Sequence, residues 1–356
     1  MDSLFGITFS KLLTLLKENK FSISLNKILF LFVLILVSIR NSYFTRKDKK
    51  LQKKYTFTDV KEHVFILGHW RSGTTFLHNL LIQDKQFNYP KIFEVIHPNA
   101  FLYLKEKHIK NIEKQKVTNR PMDNVKNDPM SAGEEEFALA ALTLKSPIVG
   151  WVFPKRYEHY EEYLDFKHIE QSELEKWKAV YINYLKKVNG NSEKRLILKS
   201  PTNTARIKIL LEMFPNAKFI NIHRNPFDVY RSTVKLHNTA IKSSSLQANF
   251  KYDIHKRIIT TYKRVYESYF NQVNLIPKEN FIDISFEDLE KAPVKTIGEI
   301  YSTLNVSGFE IMKPNLEKYL DSIGEYKKNK YAEIKDEYTK DIYAEWGEYF
   351  KQWNYI

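Results

Sequence analysis

A chain of 356 residues, 43% hydrophobic and 28% charged, is long enough to bury a sizeable core as one large domain or two smaller ones. It has no cysteine, which excludes disulfides, thiolate catalysis and cysteine-based metal sites. Its 56 lysines and arginines against 42 acids give +14, which suits a lysine-rich surface, an anionic ligand or an anionic membrane face, and no helix-turn-helix, RRM or zinc-finger pattern points to nucleic acid.

The first 55 residues differ from the rest. Leu4, Phe5, Ile7, Phe9, Leu12, Leu13, Leu15 and Leu16 make an apolar start, and Ile28–Ile39 is apolar apart from Ser38. Lys27 precedes that run, and Arg40, Arg46, Lys47, Lys49, Lys50, Lys53 and Lys54 follow it. A bilayer span takes roughly 20 apolar residues, so the run is short for crossing one. No small-x-small cleavage site follows it. An interfacial helix, a short signal anchor and a buried helix of the fold all stay open.

From about Thr56 the pattern is α/β. Val64–Leu67 reads as a buried strand, Gly68–Gly73 as a loop, and Thr74 to about Gln83 as a helix. Residues 84–132 read as irregular, punctuated at Asn88-Tyr89-Pro90, His97-Pro98-Asn99 and Asn127-Asp128-Pro129. A helix follows over Glu134–Thr143, where Glu134, Glu135 and Glu136 read as a charge cluster at its start. Another runs from Ser172 to Val188, with Ser172 and Glu175 as a capping box. Arg195–Lys199 is a strand, Ala205–Phe214 a helix, Ala217–Ile222 a strand, and Asn225-Pro226 opens a helix. Phe250–Gln272 is a long helix, Asn280–Phe286 a strand and Val294–Leu304 a helix, before a helical, tyrosine-rich remainder. Repeated strand–helix units imply a central parallel sheet flanked by helices, with ligands at the strands' carboxyl ends.

Three of those ends are polar and cationic. At the first, Gly68-x-x-x-x-Gly73-Thr74-Thr75 nearly matches the triphosphate loop G-x-x-x-x-G-K-[ST]. Thr74 replaces the lysine, and Arg71 offers a cation from inside the loop instead. The P-loop lysine serves the β/γ-phosphates, so its loss argues for a different anionic donor. The other two ends are Lys199-Ser200 and His223-Arg224.

Together the three stretches resemble the sulfotransferases that use 3′-phosphoadenosine-5′-phosphosulfate (PAPS), in particular the large, mostly bacterial group. Trp70-Arg71-Ser72-Gly73-Thr74-Thr75-Phe76-Leu77 resembles that family's 5′-phosphosulfate loop. His223–Ser232, an arginine followed eight positions later by a serine, resembles its 3′-phosphate segment, and Leu198–Arg206 the stretch between. The likeness runs from about residue 60 to about 310. It implies a P-loop-like three-layer fold, PAPS as co-substrate and the desulfated nucleotide PAP as product. On it, Arg71, Ser72, Gly73, Thr74, Thr75, Phe76, Arg224 and Ser232 bind the nucleotide, with Arg71 and Lys199 as the catalytic cations. The acceptor hydroxyl's base is Glu94, 23 positions after Arg71, with His97 as the second choice. Trp70 or Phe76 could stack on adenine. The Arg-Lys-Gly tail of some members is missing, and Lys327-Lys328-Asn329-Lys330 is the nearest substitute. We expect a membrane-associating segment over 1–55, a catalytic domain over 56–356 on the cytoplasmic side, and a hydroxyl acceptor that is lipid-like or a glycan. Two rivals are a P-loop kinase or NTPase and a non-catalytic membrane-bound module that keeps the fold.

Overall fold

A computed structural model describes residues 4–55, 57, 62–113, 118–119, 126–324 and 333–356. They form two compact units, a sheet unit of Val60–Tyr89, Lys194–Leu236 and Asp253–Ile356, and a helical unit of Met1–Asp59, Pro90–Glu193 and His237–Tyr252. The first helices in chain order are α1 (Phe9–Glu18), α2 (Ile28–Gln52), α3 (Thr74–Leu81), α4 (Ile92–Ile96), α5 (Phe101–Glu113) and α6 (Glu135–Thr143). The strands are β1 (Val64–Leu67), β2 (Phe87–Asn88), β3 (Thr118–Asn119), β4 (Lys126–Asn127), β5 (Arg195–Lys199), β6 (Lys218–His223) and β7 (Phe281–Ser285).

In the sheet unit the strand order is β2-β5-β1-β6-β7, with every pair parallel. β1 is buried at all four positions, as a strand covered on both faces must be. Ile66 lies opposite Lys199, Leu67 opposite Asn221 and His223 opposite Ser285. Since all strands point one way, the carboxyl ends of β5, β1, β6 and β7 line up along one edge. The core beneath is aliphatic, with Val64, Ile66, Leu77, Leu80, Ile197 and Ile222 in one cluster. Farther along, Trp346 of the Asp336–Gln352 helix stacks on Tyr262 at 3.8 Å and donates its Nε1–H to the Ile259 carbonyl.

In the helical unit, α2 runs for 25 residues, well past the apolar run. The helical stretch Leu25–Gln52 is long and apolar enough to cross a membrane by length and composition. One face of α2 is anchored. Asn41 Nδ2 donates to the carbonyls of Phe5 and Ile7, and buried Asp48 pairs with Lys187 at 2.7 Å while accepting the Tyr103 N–H of α5. The expected boundary near residue 55 thus meets a different grouping, since the N-terminal segment shares its unit with Pro90–Glu193.

Two local expectations change. The stretch 84–132 is not simply irregular: β2, α4 and α5 fit between its turn residues. α4 escapes periodicity because it is five residues long and is held by a side chain, Glu94, bonding back to the Lys91 N–H. The Ser172/Glu175 capping box does not form. The helix starts one residue earlier, at Gln171, without a side-chain cap, and Glu175 binds Lys178 and Gln171 instead.

Candidate active site

The loop after β1 is shaped by backbone that L-residues avoid. Gly68 sits at φ +138, where a Cβ would stand 2.5 Å from the Ile222 carbonyl oxygen. Gly73, at φ +100, caps α3, and a Cβ there would strike the Phe286 ring. Arg71 between them is also left-handed, at φ 75. The loop is braced from within: the Ser72 hydroxyl donates to the His69 carbonyl at 2.8 Å. It is braced from β5's side as well, where the Gly68 N–H donates to Thr204 Oγ1 at 2.8 Å. This leaves the first turn of α3, at Thr74, Thr75 and Phe76, to offer N–H groups and a positive dipole end to an anion.

Around that turn the sheet edge gathers cations and hydroxyls. Lys199, buried at the end of β5, donates from Nζ to Thr75 Oγ1 at 3.2 Å. Arg71 Nε donates to Ser232 Oγ at 2.8 Å, joining two stretches 161 residues apart. Arg224, at the end of β6, lays its guanidinium 4.5 Å over the Phe286 ring. Its ion pair to Asp228 is loose, Nη2 to Oδ2 at 3.4 Å, while Asp228 grips Arg231 at 2.5 Å. Its Nε is buried with no hydrogen-bond partner among the described residues. A buried guanidinium N–H without an acceptor is costly, and an anion would satisfy it. His78, one turn into α3, is pushed down to about 3 by burial and then by the Lys199 charge. It is therefore a neutral wall at physiological pH. Phe76 packs edge-on to Phe286 at 6.4 Å, and Trp70 edge-on to His69 at 5.4 Å.

The structure therefore brings together Arg71, Ser72, Gly73, Thr74, Thr75, Phe76, Lys199, Arg224 and Ser232 in the sheet unit. Glu94 and His97 lie in the helical unit. Glu94 is buried on α4; Oε2 accepts the Lys91 N–H at 2.9 Å, and Oε1 pairs with Lys105 at 2.6 Å. His97, at the end of α4, is lowered to about 4 by burial and then by the Arg40 charge, so it is neutral at pH 7. The acidic cluster stands at the start of α6 as its pattern predicts, with Glu135 and Glu136 fully buried and the Tyr181 hydroxyl donating to Glu135 at 3.1 Å. The run 327–330 lies outside the described residues. Sequence reasoning missed Thr204 and Phe286. Thr204 sat within the quoted middle stretch, so its hydroxyl was findable. Phe286, the floor under both Gly73 and Arg224, carries no local signal.

An anion-binding strand–loop–helix with a second arginine–serine cradle at the neighbouring strand end is the architecture of a group-transfer enzyme. A sequence model described as "Sulfotransferase family" matches residues 63–310, and the chain belongs to that family: it is a sulfotransferase. It is 33% identical to the omega-hydroxy-beta-dihydromenaquinone-9 sulfotransferase Stf3 of Mycobacterium bovis, over 98% of this chain and 90% of that protein. In fold it resembles the crystal structure of sulfotransferase STF9 from Mycobacterium avium, with a TM-score of 0.66 at 17% identity, over 88% of this chain and 81% of that one. It also resembles sulfotransferase STF1 from Mycobacterium tuberculosis, with a TM-score of 0.62 at 17% identity over 88% and 87%.

Proposed function

We propose that this sulfotransferase takes its sulfuryl group from PAPS and passes it to the hydroxyl of a lipid-like acceptor at a membrane, with its catalytic part on the cytoplasmic side. The observation that carries the donor assignment is the junction of Arg71 with Ser232 beside an Arg224 Nε that lacks an acceptor. A nucleotide with charge at both its 5′ and 3′ ends needs two cradles, and this edge has two. Arg71 and the α3 N–H groups hold the phosphosulfate, and Lys199 adds a second cation. Arg224 and Ser232 hold the 3′-phosphate. The absence of cysteine accords with a reducing compartment.

The acceptor class rests on the relative. Stf3 is named for a hydroxylated menaquinone, an alcohol on a long apolar molecule, and the match covers nearly the whole of this chain. In the transfer the acceptor oxygen forms a bond to sulfur as sulfur's bond to the 5′-phosphate oxygen breaks. The acceptor's proton passes to the Glu94 carboxylate, and PAP departs. Arg71 and Lys199 stabilise the charge that spreads over the sulfuryl oxygens and the leaving phosphate. A guanidinium cannot hand on a proton at neutral pH, so the part of Arg71 is electrostatic. Lys105 and the Lys91 N–H fix the two Glu94 oxygens, and each keeps lone pairs for a proton. The neutral His97 stands three residues on as an acceptor for the same proton.

Calorimetry tests the donor: PAP binds tightly and ATP does not, whereas ATP binding of equal strength returns the chain to the kinases. Transfer of label from PAPS to a long-chain alcohol, but not to sugars, tests the acceptor. Glu94→Gln lowers kcat about 100-fold with little change in PAP affinity; unchanged turnover moves the base elsewhere, His97→Gln being the next variant to assay.

A further inference from the structure

The first half of α2, with the turn before it, shows solvent a stripe that its own unit leaves uncovered. Leu25, Leu29, Phe32 and Leu36 recur at helical spacing and are each more than half exposed, Leu29 at 76%. The same spacing continues as Arg40, Tyr43, Lys47 and Lys50, with Lys47 Nζ 5.4 Å over the Tyr43 ring. On the opposite face Leu34, Ser38, Asn41 and Asp48 are buried. We propose that α2 lies on one leaflet of an anionic bilayer and does not span it. The apolar stripe sits among acyl chains, and Arg40, Lys47 and Lys50 sit among the headgroups. This rests on the reading of a membrane enzyme and specifies how it binds.

Three observations favour lying over crossing. Although the helical stretch Leu25–Gln52 is long enough to cross, its unbroken apolar run Ile28–Ile39 is only about 18 Å of helix at 1.5 Å per residue, against roughly 30 Å of hydrocarbon. Crossing would also carry Asn41 and Asp48 towards that hydrocarbon. Both are tied to the rest of the unit, Asn41 to the Phe5 and Ile7 carbonyls and Asp48 to Lys187 and the Tyr103 N–H. Freed of those partners in hydrocarbon, they would cost several kilocalories each. Finally, the cations continue the apolar stripe along the same face, so a helix resting on the leaflet puts its first half among acyl chains and its second half among anionic headgroups.

The arrangement bears on the acceptor. The turn after α4 is fastened to the same platform: Asn99 Nδ2 donates to the Gly6 carbonyl at 3.0 Å, and Lys187 Nζ to the Pro98 carbonyl at 3.0 Å. Glu94 and His97 are therefore built onto the part of the chain that rests on the leaflet. An alcohol whose tail stays in the membrane can present its hydroxyl there.

Flotation of the full chain with phosphatidylcholine vesicles, with and without phosphatidylglycerol, gives the first readout. Binding requires phosphatidylglycerol, and Lys47→Gln with Lys50→Gln weakens it about 30-fold. Leu29→Ser with Phe32→Ser weakens it about 100-fold. Circular dichroism and melting stay unchanged, because Leu29, Phe32 and Lys50 are exposed and half-buried Lys47 lies over the exposed Tyr43 ring. The second readout uses the absence of cysteine. Lys17→Cys and Lys53→Cys flank α2, and in membrane vesicles from expressing cells both react together with an impermeant maleimide, without detergent. If one reacts only after detergent is added, α2 spans, and the proposal falls while the membrane reading stands. If the chain never binds vesicles, both fall. If Leu29→Ser with Phe32→Ser instead abolishes a dimer in a chain that ignores vesicles, the face belongs to a second copy.

Discussion

The two units use their polar groups differently. In the sheet unit the candidate nucleotide-binding side chains stand at strand ends and on a loop whose shape is set by backbone: Gly68, Arg71 and Gly73 all have positive φ within six residues. In the helical unit the buried charges sit on helices and hold one helix to another, as Asp48 on α2 does with Lys187. The contrast teaches where a lost side chain should be felt. At the sheet edge the backbone survives the loss of a guanidinium, so function suffers and stability does not. In the helical unit the ion pair is itself the fastening.

The largest test is Arg71→Ala. We expect kcat/KM to fall about 1,000-fold, the scale of losing a preorganised charge at a transition state, with the melting temperature almost unmoved. Asp48→Ala should do the reverse. It strands the Lys187 ammonium, whose pKa burial already lowers, and should cost about 3 kcal/mol in a urea melt while turnover per folded molecule holds. Arg224→Ala is smaller again. It should raise KM for the donor about 30-fold, the worth of a charge-assisted contact, and leave kcat nearly unchanged. If Arg71→Ala melts the chain, or Asp48→Ala is silent in urea, the contrast between the units is broken.

Legibility in the sequence follows the same division. The sheet edge was readable because its chemistry is written contiguously. An apolar strand, a glycine-bounded turn and a helix start specify Arg71–Thr75 within a dozen letters, and Pro226 marks the helix carrying Ser232. That Arg71 and Ser232 touch was not readable, because the contact depends on β1 and β6 being neighbours. Phe286 was invisible for the same reason, since it arrives from the end of β7. In the helical unit, α4 is too short to show a period, and the burial of Glu135 and Glu136 opposes what three consecutive acids suggest. Besides Gln52 one turn on, the partners of Asp48 lie at 103 and 187, and no local pattern predicts those distant pairs. A carboxylate that closes a helix turn, as Glu94 does, also looks the same in sequence as one that takes a proton.

The smallest effect separates the units by pH. In the sheet unit burial lowers His69 to about 4, His78 to about 3 and His223 to about 4, while Asp283 is raised to about 6, also by burial. In the helical unit His97 is lowered to about 4. A histidine depressed on folding stabilises fully above its unfolded value near 6.5, and this stability is lost as pH falls towards the folded value, because the unfolded chain takes the proton first. Asp283 acts in the opposite sense between about 6 and its unfolded value, because there the folded chain holds the extra proton. Three histidines against one carboxyl leave a net two protons favouring unfolding in the sheet unit, whereas in the helical unit His97 contributes one and the exposed His159, lowered by desolvation and then by the Arg156 charge, only part of another. Each proton is worth about 1.4 kcal/mol per pH unit. Between pH 6 and 4 the slope of opening free energy, read residue by residue by hydrogen exchange, should therefore be steeper in β1, β5 and β6 than in α4 and α6. His78→Gln should remove that excess, because it takes away one of the sheet unit's two net protons without charging the core. Equal slopes in the two units before that substitution would mean that the buried histidines are hydrated more than their surroundings imply.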